Sequence, residues 1–308
     1  RNLIKNLKTL QTRQSTLDYL PTKNTDYTVG LYVVATPIGN LDDITIRAID
    51  TLKNVDVIAC EDTRNSRILL NRWNISTPLV SLHRFNENSK IDMILERLKN
   101  GQRIALISDA GTPNISDPGY RLVRSVKASG FNVSPIPGPS SIIAALSVSG
   151  FDGSSFVFMG FSPKKENALR EFFQKISLEK RTVVFMETAR RIIKIMDLAR
   201  KLIPKRELTL TRELTKKFEE IISGDASSLH EQLGQMENIR GEFVVVIGPS
   251  KLNLTVNLEQ VVRDLMKDGY SGKDLACEAQ KRFNVSKSLA YNKFISITRA
   301  KVETDCYG

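Results

Sequence analysis

The chain has 308 residues, 41% of them hydrophobic, with three cysteines and two histidines. That is room for two ordinary domains with real cores, and it excludes a disulfide-stapled miniprotein and a His-rich metal centre. Cys60, Cys277 and Cys306 are scattered, and no apolar run nears the ~20 residues that span a bilayer, so a soluble protein of a reducing, cytoplasmic compartment is expected, without metal. The net charge is +11, and residues 161–220 carry 16 Lys+Arg against 9 Asp+Glu. Such a concentration suits either a polyanion, usually nucleic acid, or a merely solvated face.

Arg1–Thr28 is polar, poorly patterned and without the continuous apolar core of a secretory signal. It reads as a loose extension, with an organelle transit peptide as the alternative. Strands are then predicted at Leu31–Ala35, Val55–Cys60, Leu79–Leu82, Arg103–Ile107 and Asn132–Ile136. Helices are predicted between them at Asp43–Lys53, Thr63–Trp73, Ser89–Leu98 and Pro118–Ala128. Strands alternating with helices call for a parallel sheet in a three-layer α/β domain. After a helix from Ser140 to Leu146 the order changes. Phe156–Met159, Thr182–Met186, Glu207–Thr211, Phe218–Ser223 and Phe243–Ile247 read as strands, with helices at Asn167–Ile176 and Arg191–Leu202. The short spacing of the later strands predicts a mixed sheet with antiparallel parts. Helices at Leu258–Met266, Ser271–Phe283 and Ser286–Ile297 form a small tail that reads as a helix-turn-helix or as a plain three-helix bundle. The expected domains are an extension over 1–29, α/β domains over 30–138 and 139–250, and the tail over 251–308.

The chemistry gathers at carboxyl ends of strands, where open α/β sheets bind ligands. Ser108-Asp109-Ala110-Gly111-Thr112-Pro113-Asn114-Ile115-Ser116-Asp117-Pro118-Gly119 follows the fourth strand and offers main-chain groups with little side-chain bulk. Thr36-Pro37-Ile38-Gly39-Asn40 follows the first. It is neither a dinucleotide fingerprint nor a phosphate loop, and it also reads as a simple tight turn. Glu61-Asp62-Thr63-Arg64 follows the second strand. Asp62 there is a ligand group or a helix cap. His83 follows the third strand as a general base, an RNA contact or a surface residue. Pro137-Gly138-Pro139-Ser140-Ser141 joins the two domains at a helix start suited to an anion or to capping. Glu187-Thr188-Ala189-Arg190-Arg191 and Arg212-Glu213-Leu214-Thr215-Lys216-Lys217 bring cations to strand ends, and Gly241-Glu242 opens the last strand.

Taken in order, Leu31–Leu41, Glu61–Arg64, Ser108–Gly119, Pro137–Ser140 and Arg212–Lys216 resemble the ribosomal RNA small subunit methyltransferase I family, a branch of the tetrapyrrole methylase superfamily. The resemblance runs from about Gly30 to Gly248, and the tail is similar to that family's C-terminal segment. It implies two α/β domains of the tetrapyrrole methylase type, with S-adenosylmethionine in the cleft between them. It also implies transfer of methyl to the ribose 2′-hydroxyl of a decoding-region cytidine in 16S rRNA, by a homodimer. The loop Asp109–Pro113 corresponds to the superfamily's Gly-Asp-Pro loop but departs from it in order, as the RNA branch does. The implied cofactor residues are Pro37, Gly39, Ser108, Asp109, Ala110, Gly111, Thr112, Pro113, Ile115, Ser140, Ser141, Met186, Arg212, Gly241 and Glu242. A ribose hydroxyl benefits from a general base, and Glu61, Asp62, Glu213 and Lys216 are the candidates. Arg64, His83, Lys164, Lys165, Arg190, Arg191 and Lys217, with Lys287, Tyr291 and Lys293 in the tail, would hold RNA. The rivals are a corrin or porphyrin methylase on the same scaffold and a non-catalytic nucleic-acid-binding regulator that uses the tail.

Overall fold

The computed structural model describes residues 27–250, 258–283 and 285–305, so nearly all of the expected extension lies outside the described residues. The chain divides into two compact units, Arg1–Pro249 and Ser250–Gly308.

The first unit holds two five-stranded sheets. In the first, β1 (Gly30–Val34), β2 (Val57–Cys60), β3 (Leu79–Ser81), β4 (Arg103–Ile107) and β5 (Asn132–Ile136) pair in the order β3-β2-β4-β1-β5, all parallel. Strand periodicity makes the three layers. Ala105 and Ile107 of β4 pack with Tyr32, Val34, Ile58 and Cys60 under α1 (Ile46–Asn54) and α2 (Thr63–Arg72). Ile104 and Leu106 pack with Leu31 and Ala59 on the opposite face, under α3 (Glu87–Lys99) and α4 (Tyr120–Ala128). The chain therefore leaves β1 over one face and β4 over the other. These two strands are neighbours, so the crevice at their carboxyl ends is a topological switch point. An isolated bridge marks the spot, with the Thr36 N–H donating to Gly111 O at 2.9 Å and the Gly111 N–H to Thr36 O at 3.0 Å.

α5 (Ser141–Val148) leads into the second sheet and packs through Ile142, Ala145 and Leu146 against Val184, Val244 and Val246. That sheet comprises β6 (Phe156–Phe161), β7 (Thr182–Thr188), β8 (Glu207–Arg212), β9 (Glu220–Asp225) and β10 (Glu242–Ile247), ordered β6-β7-β10-β8-β9. Only β6 and β7 run parallel, which gives the mixed sheet that the strand spacing predicted. Its other face, through Val183, Phe185, Leu208, Leu210, Phe243 and Val245, is covered by α6 (Glu166–Leu178), α7 (Ala189–Leu202) and α8 (Ala226–Gly234).

Two helix starts and one whole helix differ from the sequence reading, and β9 runs over Glu220–Asp225 rather than Phe218–Ser223. Asp42 and Asp43 fall in a short 3-10 turn, and α1 starts later because the Thr45 hydroxyl accepts the Ala48 N–H. Pro118 and Gly119 stay in the loop before α4, where Gly119 has φ 123°. Helix α8 was not expected. Its sign is Asp225, whose carboxylate accepts the Ser227 and Ser228 N–H groups as an N-cap.

The second unit is helical: α9 (Leu258–Lys267), α10 (Gly272–Phe283) and α11 (Lys287–Asp305) around Val262, Leu265, Leu275, Ala279, Ala290 and Ile297. Lys293 pairs with Glu259 at 2.7 Å, tying α11 to α9, while Lys287 and Tyr291 are exposed on α11. Among the described residues no helix is long and apolar enough to cross a membrane.

Candidate active site

A cleft of the first unit lies where the switch point of the parallel sheet meets the second sheet, and it encloses about 220 Å³. One wall is Ile38 and the loop residues Asp109, Ala110, Gly111, Thr112, Ile115 and Asp117. The opposite wall is Met186, Glu187, Glu213, Leu214, Lys216 and Glu242, and Ser140 and Ser141 close the floor at the start of α5. Five carboxylates and one ammonium thus line a cleft in a chain of net charge +11. Such a lining favours a cationic ligand. Among the described residues no group of His, Cys, Asp or Glu side chains could hold a metal ion.

The loops that form the cleft are held in uncommon backbone. Asn114 and Ser116 both have φ 72°, Glu213 has φ 50° and Thr215 φ 64°. Such conformations persist only where the surroundings impose them. Here the imposing contacts are visible. The Arg84 guanidinium donates to the Ser116 carbonyl, and the Glu213 carboxylate accepts the Glu242 N–H at 3.1 Å and Lys216 Nζ at 3.0 Å. The Asn114 Oδ1 is buried without a hydrogen-bond partner among the described residues.

Of the expected cofactor residues, Asp109–Thr112, Ile115, Ser140, Ser141, Met186 and Glu242 line the cleft. Pro37, Gly39, Ser108, Pro113, Arg212 and Gly241 do not. Gly39 serves a close approach between loops. A Cβ there would meet Lys216 Cγ at 2.5 Å, Thr215 Oγ1 at 2.8 Å and the Leu214 carbonyl at 2.9 Å, while the Asn40 N–H donates to Thr215 Oγ1 at 3.0 Å. Ser108 is buried, with its hydroxyl turned to the Gly111 carbonyl, and Arg212 donates to Arg240 O and to Glu220.

The four candidates for the base separate by partner. Asp62 caps α2 through the Arg64 N–H and pairs with the Arg64 guanidinium at 2.6 Å, which pushes its carboxyl down to about 2. Lys216 is shared between Glu213 and Glu242. Burial alone would raise Glu213, but Lys216 and the Glu242 N–H outweigh it and hold it below the ordinary carboxylate range. Glu61 is raised, first by burial and then by Asp109, but it stands outside the cleft lining. Asp109 is spoken for: one oxygen accepts the Asp62 N–H at 3.1 Å and the other Asn65 Nδ2 at 2.9 Å. Glu187 is buried and accepts the Ser162 hydroxyl and the Thr188 N–H.

Among the expected RNA contacts, Lys164, Lys165, Arg190 and Lys217 are exposed, as is Arg64 despite its pairing. Arg191 is turned inward, donating to the Ser162 and Pro163 carbonyls and lying 3.5 Å from Glu187, so it is not a free phosphate ligand. His83 is half-buried, and its Nδ1 has no partner among the described residues. The sequence reading missed two residues. Asp117 lines the cleft, and burial pushes its carboxyl up to about 6. Phe85, next to His83, is 98% exposed.

Fold and site together define a two-sheet α/β protein whose ligand cleft lies at a switch point and is lined with acid. The family model of the Tetrapyrrole (Corrin/Porphyrin) Methylases matches residues 30–230. The ribosomal RNA small subunit methyltransferase I of Xylella fastidiosa is 46% identical over 219 residues, covering 70% of this chain and 80% of that one. The enzyme of the same name from Mesorhizobium japonicum is 38% identical over 278 residues, covering 89% and 94%. The chain belongs to the tetrapyrrole methylases and, within them, to the ribosomal RNA small subunit methyltransferase I family. Among solved structures, the methyltransferase CobJ aligns with TM-score 0.55 at 18% identity over 72% of this chain and 94% of its own. A Thermus thermophilus uroporphyrin-III C-methyltransferase complexed with S-adenyl homocysteine aligns at 0.50 and 16%, over 71% and 97%. These likenesses confirm the fold.

Proposed function

We propose that this protein transfers methyl from S-adenosylmethionine to the ribose 2′-hydroxyl of a cytidine in the decoding region of 16S rRNA, acting as a cytoplasmic homodimer on the small ribosomal subunit. The observation that carries the reading is the separation of charge, with carboxylates inside the cleft and exposed cations outside it. The lining fits the cofactor, whose sulfonium and ammonium outweigh its one carboxylate. The names of the relatives support an rRNA substrate.

In this reading Asp109–Thr112 and Ile115 hold the cofactor from one sheet and Met186 and Glu242 from the other, with Ser140 and Ser141 beneath it. The sulfonium supplies an electrophilic methyl. The chain's part is therefore to align the acceptor oxygen and to exclude water. Lys164, Lys165, Arg190 and Lys217 bind phosphates, and Arg64 does so once freed from Asp62. Phe85 offers a face for an unstacked base, the form in which RNA is read by sequence. In the tail, the exposed Lys287 and Tyr291 are further RNA-binding residues in this reading.

The test is transfer of labelled methyl from S-adenosylmethionine to 30S particles that lack native methylation, with the product mapped. Label on a cytidine 2′-oxygen supports the reading. Tight cofactor binding with no label on rRNA sinks its substrate half.

A further inference from the structure

The cleft contains one carboxylate held by neither an ion pair nor a backbone N–H among the described residues, its side-chain partner being the Ser108 hydroxyl. Asp117 lies at the end of the strained segment Asn114–Ser116, directly before α4. Its side-chain hydrogen-bond partner is Ser108, and the charges that act on it are Glu61 after β2, Arg84 after β3 and Asp109 after β4. Across the cleft stand Glu187, Glu213, Lys216 and Glu242. The other acids are committed: Asp109 to the start of α2, Glu187 to Ser162, Glu213 to Lys216 and the Glu242 N–H. Glu242 is 78% exposed in its side chain and shares Lys216 at 3.6 Å. Asp117 alone combines a place on the wall, partial burial and freedom from any cation within ion-pair distance among the described residues.

Resting on the methyl-transfer reading above, we propose that Asp117 is the general base of the reaction. In the step, Asp117 takes the proton of the acceptor hydroxyl. The oxygen forms its bond to the methyl carbon as the carbon–sulfur bond breaks, and that bond's electron pair stays on sulfur, leaving a neutral thioether. The Arg84 guanidinium holds the Ser116 carbonyl, next to Asp117 in the chain. A base that titrates near the working pH serves best. The surroundings move Asp117 that way, through burial first and the Glu61 charge after the Ser108 hydroxyl.

The experiment is single-turnover methylation of 30S particles from pH 5 to 8.5 at saturating S-adenosylmethionine, with cofactor affinity measured separately by calorimetry. Wild type should rise with unit slope and level off at or below about pH 6, because a bound cation draws the inflection down. D117N should lose roughly 10²- to 10⁴-fold in rate and lose the slope, with cofactor affinity within about threefold. D117E should restore part of the rate. A D117N enzyme with the wild-type rate or the wild-type pH profile overturns the assignment. If wild type binds the cofactor but methylates no rRNA hydroxyl, the reading beneath it fails instead.

Discussion

A base held above its ordinary range should burden the fold that holds it, and the burden at Asp117 can be worked out. Its carboxyl moves from 3.8 to about 6, chiefly by burial. The folded state therefore binds more protons than the unfolded chain between those values, and stability falls as pH rises through that window. Below about pH 3 both states are protonated and Asp117 costs nothing. Above about pH 6 both are ionised and the full difference applies, at most about 3 kcal/mol and about 1–2 kcal/mol once solvent access is allowed for. D117N keeps the shape and can still accept from Ser108, but it never ionises. Its melting temperature should match wild type near pH 3, exceed it progressively through pH 3–6, and stay above it by roughly 2–8 °C at pH 7–8. Differential scanning calorimetry of both proteins along a pH series reads this directly. Parallel curves at every pH, or a variant less stable than wild type at pH 8, would refute the reasoning.

Three further outcomes follow from the geometry. Gly39→Ala should lower stability by about 1–3 kcal/mol, because the new methyl meets the Leu214 carbonyl and Thr215 Oγ1. It should also weaken S-adenosylmethionine binding, since Leu214 lines the cleft; unchanged calorimetric affinity would show that the loop yields freely. Asp109→Ala removes the acceptor for the Asp62 N–H and Asn65 and should cost about 1–3 kcal/mol in chemical denaturation, with a matching loss of cofactor affinity. Phe85→Ala removes a ring that is 98% exposed, so the fold should be indifferent to it. RNA affinity should drop by the equivalent of one stacked base, about 1–3 kcal/mol, with cofactor affinity unchanged, and equal RNA affinity in a filter-binding titration would remove Phe85 from the interface.

How far the sequence could be read depended on the kind of signal each element left. The parallel sheet was legible because its strands are short apolar runs that end in Gly, Pro and Asp. Such runs leave little choice of period or boundary, and the same boundaries mark the cleft. Helix α8 was not legible, because an Asp cap followed by two serines looks like a loop until the carboxylate is seen to take both N–H groups. The cations misled in a related way. Arg190 and Arg191 are neighbours in a basic stretch, but only Arg190 faces solvent, since Arg191 is drawn to the carbonyls at the end of β6. The carboxylates were the hardest to rank. Sequence supplied Glu61, Asp62 and Glu213 as equals beside Lys216, and the ranking comes from side-chain partners, near and far in the chain, that only the folded geometry reveals. Asp62 is neutralised by a local arginine, Glu213 by Lys216, and Asp109 by a helix start 44 residues earlier. Asp117 was passed over because it sits in a loop read as a main-chain grip, where a lone acid between Ser116 and Pro118 resembles turn chemistry.

That ranking has a consequence for how a basic enzyme can bind a cationic cofactor and a polyanion together. If the cleft acids were all free, the phosphates drawn by the exposed lysines would meet a strongly repelling mouth. Most are instead neutralised or hydrogen-bonded by short-range partners, and fields from such pairs fade within a few ångströms at physiological salt. Asp117 is half-buried and shifted toward neutrality; a cation entering the cleft favours its ionised form, and in the proposed methyl transfer to a ribose hydroxyl that carboxylate takes the proton.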